Sequence, residues 1–244
     1  MKTKPFYISA LCVIALVACA APTATPVPPT SIPPTRLPTV LPTPAPTLLV
    51  APTVIAAMRS KDWNYAALGD SSAWGFMRVY PKYIEEDLGV KVKLLIWAFG
   101  NYTSAQVLAQ LRDNKQERLE VSQSQVITFY GNPLHLIGMR ITSGNAGDKY
   151  DCSPQIVAQY KTELGAIADE ILSLRKGQPT LIRTYTRFMP FYRIWHRTGQ
   201  FDEYRRCVAA LDAAILQVGK ERGILVADTG LALNGPNHDQ DPND

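Results

Sequence analysis

Trp63-Asn64-Tyr65-Ala66-Ala67-Leu68-Gly69-Asp70-Ser71 decides the fold. Its first six residues form a short, largely apolar run of strand length, and Gly69-Asp70-Ser71 then breaks into a loop. Four similar runs follow, at residues 92–99, 125–130, 180–185 and 223–227, each rich in Val, Ile, Leu or aromatics. Helical spacing fills the intervals. Ile156, Tyr160, Leu164, Ile167, Ile171 and Leu174 recur at steps of three and four, with Ser153-Pro154 as cap and first-turn proline. Tyr204, Val208, Leu211, Ile215 and Val218 share a second face that stops at Gly223, and a weaker pattern from Thr103 takes in Val107, Leu108 and Leu111. Strands alternating with helices predict an α/β chain of flavodoxin-like, three-layer α/β/α architecture. The expected sheet has five mostly parallel strands in the order 2-1-3-4-5.

Ligands of such sheets bind beyond the carboxyl ends of the strands. Ser71 follows strand one, Gly100 ends strand two, and Gly131-Asn132 ends strand three, at spacings of 29 and 32 residues from Ser71 to Gly100 and from Gly100 to Asn132. In the expected order, strands two and three flank strand one at about 4.8 Å, which places Gly100 and Asn132 on either side of Ser71. The backbone N–H groups of Ser71 and Gly100 and the Asn132 amide can then address one developing negative charge.

These residues fall in three blocks: Ala67-Leu68-Gly69-Asp70-Ser71, Phe99-Gly100-Asn101-Tyr102-Thr103-Ser104 and Phe129-Tyr130-Gly131-Asn132-Pro133. In order and spacing the chain resembles the SGNH, or GDSL-type, serine esterases. The resemblance implies that Ser71 is the nucleophile of an ester hydrolase and that Ser71, Gly100 and Asn132 form its oxyanion hole. Tyr130 and Pro133 depart from the usual third block, which keeps its asparagine. The family's general base is a histidine in an Asp-x-x-His block after the last strand. Residues 231–244 contain no such block, so the base is unassigned and the chain is expected to be truncated just short of it. His135, His196 and His238 are the substitutes to weigh. His135 reads as a loop residue and His196 as part of an aromatic, basic segment. His238 has carboxylates beside it, in a polar tail expected to fray.

The chain ends set the compartment. A basic start with Lys2 and Lys4 leads into an apolar run over residues 6–18, too short to span a bilayer comfortably and typical of a secretory signal. Leu16-Val17-Ala18-Cys19 resembles the lipobox of bacterial lipoproteins, which implies cleavage before Cys19, its lipidation, and an extracytoplasmic protein anchored to a bacterial membrane. Residues 22–53 hold 11 prolines and 8 threonines and read as an extended tether. The expected organisation is a signal at 1–18, a lipidated tether at 19–59 and a hydrolase-like domain at 60–244.

Loss of Lys2 and Lys4 takes the net charge from +4 to +2, which gives no electrostatic case for nucleic acid. Cys152 and Cys207 remain beyond the signal and the lipobox. In an exported protein they suggest a disulfide, with free thiols or a metal site as alternatives; no metal-ligand spacing is present, and neither metal nor cofactor is expected. The segment 187–197 reads either as a pocket wall near the site or as a loop packed on the domain's own surface. The sequence therefore supports a serine ester hydrolase, or a ligand-binding protein on the same scaffold that lacks the base.

Overall fold

The computed structural model describes residues 61–137, 151–189 and 192–243. The signal at 1–18, Cys19 and the tether to residue 59 lie outside the described residues, as does part of the loop that follows Asn132. Five parallel strands form one sheet in the order β2-β1-β3-β4-β5: β1 Asp62–Gly69, β2 Lys91–Ala98, β3 Val126–Phe129, β4 Leu181–Tyr185 and β5 Leu225–Ala227. The sheet is parallel throughout, with the expected strand order.

β1 is central and covered on both faces, which explains its nearly continuous apolar run. Trp63, Tyr65 and Ala67 pack on one side, against Met77 and Ile84. Ala66 and Leu68 face the other side, against Val107, Leu111 and Leu164. The first side is covered by α1 Trp74–Met77 and α2 Tyr80–Leu88. The second carries α3 Ser104–Asp113, α4 Lys115–Gln123, α6 Pro154–Arg175 and α8 Phe201–Arg222, with the short α5 Leu134–Ile137 beside them. β2 closes one edge with Lys91 and Lys93 outermost, the charged edge that discourages further strand pairing.

Local signals set the helix ends. Thr103 and Gln106 form a capping box at the start of α3. Asn114 ends α3 and caps α4 by accepting from the Gln116 and Glu117 N–H groups. Pro154 opens α6 as expected, but the Ser153 side chain makes no cap hydrogen bond; the Ser153 N–H donates to Asp151 Oδ1 at 2.9 Å instead. α8 stops at Gly223 in the left-handed conformation. Cys152, just before α6, and Cys207, within α8, are joined as a disulfide with their Cα atoms 5.3 Å apart.

Two expectations change at the C-terminal end. Residues 192–197 form a helix, α7 Tyr192–Arg197, packed on the domain itself: His196 stacks on Phe201 at 3.8 Å between ring centroids. The tail does not fray. After α9 Thr229–Asn234, the Asn234 amide donates to Gln240 O at 3.0 Å, the Tyr192 hydroxyl donates to Asp239 O at 2.7 Å, and Arg193 pairs with Asp241 at 2.5 Å. The first contact ties the tail back to α9, and the other two bind it to α7. Among the described residues no helix is long and apolar enough to cross a membrane.

Candidate active site

The paired strands place Ser71. Leu68 lies opposite Trp97 of β2 and opposite Phe129 of β3. Three residues beyond that level, on each of the three chains, stand Ser71, Gly100 and Asn132. The three expected site residues thus lie just past the carboxyl ends of three neighbouring strands.

Gly69 allows the chains to converge there. Its φ is +140°, and a Cβ at this position would lie 3.0 Å from the Tyr130 carbonyl oxygen. Only glycine accepts both the dihedral and the approach. The Tyr130 N–H donates to Leu68 O at 3.1 Å, and the Phe99 N–H donates to Gly69 O at 3.1 Å, so both flanking chains are fastened to β1 at its last residues. The main chain then turns through a 3-10 helix, Ser71–Ala73, whose N-cap is Asp70.

Asp70 organises this turn. Its carboxylate accepts from the Ser72 N–H at 3.0 Å and from the Ser72 hydroxyl at 2.5 Å. The other carboxylate oxygen accepts from the Asn132 side-chain amide. Asn132 is buried, and its own side-chain oxygen accepts from the Leu134 N–H at 2.9 Å. An amide carries two N–H donors, so the bond to Asp70 fixes the plane of the group and leaves a second N–H. The sequence reading assigned Asn132 to the oxyanion but did not find Asp70 as its holder. The position of an acid directly before the serine was the available signal.

Gly100 is exposed, and the Trp74 indole lies beside it: a Cβ on Gly100 would sit 3.6 Å from that ring. The indole is anchored by its N–H to Ala98 O at 3.1 Å. Ser71 is also exposed, and among the described residues its hydroxyl makes no hydrogen bond. Ser72, in contrast, meets the Tyr185 hydroxyl at 3.2 Å. Burial pushes the Tyr185 and Tyr130 phenols upward, so both stay neutral at physiological pH.

No histidine among the described residues contacts Ser71. His135 lies 3.3 Å from Glu163, whose same oxygen accepts from the Ser104 hydroxyl. His196 packs on Phe201 and Tyr192. His238 is turned inward with its Nε2 3.8 Å from Asp212 Oδ2. A Cβ on Gly230 would fall 2.8 Å from that imidazole, so the glycine makes room for it. Burial pushes the Asp212 carboxyl up to about 7, against the opposing pull of the Arg187 N–H and guanidinium. Among the described residues no group of three or more His, Cys, Asp or Glu side chains is placed to hold a metal ion.

No family model and no curated protein matches the chain. Solved structures do. The lipase Lip_vut3 from a goat rumen metagenome has a TM-score of 0.54 at 19% identity, over 71% of this chain and 84% of that one. The lipase/acylhydrolase from Enterococcus faecalis gives 0.47 at 16% identity, over 72% and 82% of the two chains. The esterase AlinE4, described as an SGNH-hydrolase family member, gives 0.47 at 13%, over 72% and 80%. Together with the strand order, the likeness to the goat rumen lipase shows a shared α/β/α fold.

Proposed function

We propose that this protein is an exported, lipid-anchored serine ester hydrolase with Ser71 as nucleophile. The observation that carries the reading is that Ser71, Gly100 and Asn132 lie just past the carboxyl ends of the adjacent strands β1, β2 and β3, with the Asn132 amide bonded to the Asp70 carboxylate. The Ser71 oxygen adds to the ester carbonyl carbon, and the carbonyl electron pair moves onto oxygen. The N–H groups of Ser71 and Gly100 and the second Asn132 N–H receive that oxyanion. On attack the Ser71 hydroxyl gives up its proton to a base, and that proton passes to the departing alkoxide as the tetrahedral adduct collapses. The alcohol leaves and acyl-Ser71 remains; water then hydrolyses it to the carboxylic acid and free Ser71. The fold-level likeness to lipases and esterases supports ester chemistry. The basic start, the apolar run and the block ending at Cys19 support export and lipid anchoring, and the paired Cys152 and Cys207 suit an oxidising compartment.

Chemistry at Ser71 needs a proton acceptor, and among the described residues no histidine is in contact with it. Its exposure lets an added base reach the hydroxyl. Hydrolysis of p-nitrophenyl acetate in excess of the protein-free rate at the same imidazole concentration is therefore expected to be slow alone, to rise with added imidazole, and to vanish in Ser71→Ala under both conditions. Turnover that persists unchanged in Ser71→Ala would sink the assignment.

The same absence favours a second reading, a ligand-binding protein that keeps the pocket rim without catalysis. It predicts saturable binding of esters with no turnover and no imidazole effect.

A further inference from the structure

A pocket of about 250 Å³ opens on the side of the sheet covered by α1 and α2, lined by Phe76, Tyr80, Tyr83, Thr128, Arg183 and Tyr185 among others. Its walls are almost wholly apolar. Phe76 meets Tyr185 edge-on with centroids 4.6 Å apart, and Tyr80 packs edge-on against the buried Tyr65 at 5.6 Å. Tyr83 stands exposed at the mouth.

Arg183 does not fit an apolar lining. Its guanidinium carbon lies 5.6 Å from the Tyr80 ring centroid, and its Nε is buried without a hydrogen-bond partner. Among the described residues no carboxylate pairs with it. Arg183 as a whole is half-buried, and its guanidinium lies close to the Tyr80 hydroxyl, a neutral partner that leaves its charge uncompensated. A half-buried cation without a carboxylate partner in the wall of an apolar pocket is the complement of an apolar molecule with an anionic head.

We propose that this pocket binds an apolar monocarboxylate, its hydrocarbon among Phe76, Tyr80 and Tyr185 and its carboxylate on Arg183. The volume lies below the roughly 300–1,000 Å³ of sites for drug-sized ligands, which selects a short or medium chain or a single ring. Tyr185 links the pocket to the Ser71 turn, because its hydroxyl meets Ser72 Oγ at 3.2 Å. An acid released by ester hydrolysis has this chemistry, yet the binding does not depend on hydrolysis.

The test is calorimetric titration of the full chain with sodium octanoate, 1-octanol and octylamine. Octanoate is expected to saturate one site at least tenfold more tightly than 1-octanol, and octylamine not to bind. Arg183→Met should weaken octanoate at least tenfold and leave 1-octanol unchanged, whereas Arg183→Lys should retain most of the preference for the acid. Ala227→Trp, which fills the pocket, should remove both ligands and decides the matter if Arg183→Met fails to fold. Ser71→Ala should bind octanoate like the parent, which separates this result from the fate of the hydrolase reading. Absent saturable binding, equal octanoate affinity in folded Arg183→Met, or a sedimenting dimer that excludes octanoate overturns the proposal.

Discussion

The Asn132 side-chain amide donates to the Asp70 carboxylate, so the residue before the candidate nucleophile holds the candidate oxyanion donor. The same carboxylate also fastens Ser72 through its N–H and its hydroxyl. Asp70→Ala removes three hydrogen bonds at once and leaves the buried Asn132 amide without that partner. A loss of about 1–3 kcal/mol is expected in urea unfolding, together with at least a tenfold fall in Ser71-dependent hydrolysis. An unaltered unfolding midpoint would show that this contact does not hold the turn.

Gly69→Ala tests the convergence of the strands. The new Cβ meets the Tyr130 carbonyl at 3.0 Å, and φ of +140° is unfavourable for any L side chain. A cost of about 1–3 kcal/mol is expected, read as a lowered melting temperature. Gly75→Ala is the control, since a Cβ there meets nothing within 4 Å.

The Cys152–Cys207 bridge closes a separation of 55 residues and ties the start of α6 to α8. Replacing both cysteines by serine is expected to cost about 2–4 kcal/mol, chiefly through the freer unfolded chain. Mass spectrometry of the unreduced, alkylated protein should find neither thiol modified.

Glu117 gives a pH prediction. It is buried in α4 with Oε2 lacking a partner, and burial pushes its carboxyl up to about 7. The folded state then holds a proton that the unfolded chain releases above the ordinary value of 4.5. Stability therefore falls as pH rises from about 4.5 to about 7, then levels. Glu117→Gln should flatten that slope and be more stable at pH 8 by about 1–3 kcal/mol. Asp212 contributes in the same direction, so some slope should survive in the variant.

The strands, the long helices α6 and α8 and the rim residues were legible in the sequence because they follow local periodicity. β1 buries both faces, so its apolar run is nearly unbroken, and strand order alone puts Gly100 and Asn132 just past the ends of the two strands that flank β1. α4 was not legible, since Glu117 and Val121 are its only buried residues and no apolar stripe results. The docked tail escaped for a different reason. His238 is received by the missing Cβ of Gly230 and by Asp212 from α8, contacts that no local periodicity signals. Arg183 read as part of an ordinary strand, and its isolation from carboxylates is visible only in three dimensions.

Covalent labelling by a fluorophosphonate, mapped by peptide mass spectrometry, tests the central claim that Ser71 is the nucleophile. One modified residue is expected, Ser71, with labelling accelerated by imidazole and lost in Ser71→Ala. An unlabelled protein, or a label on another serine that survives Ser71→Ala, would contradict it.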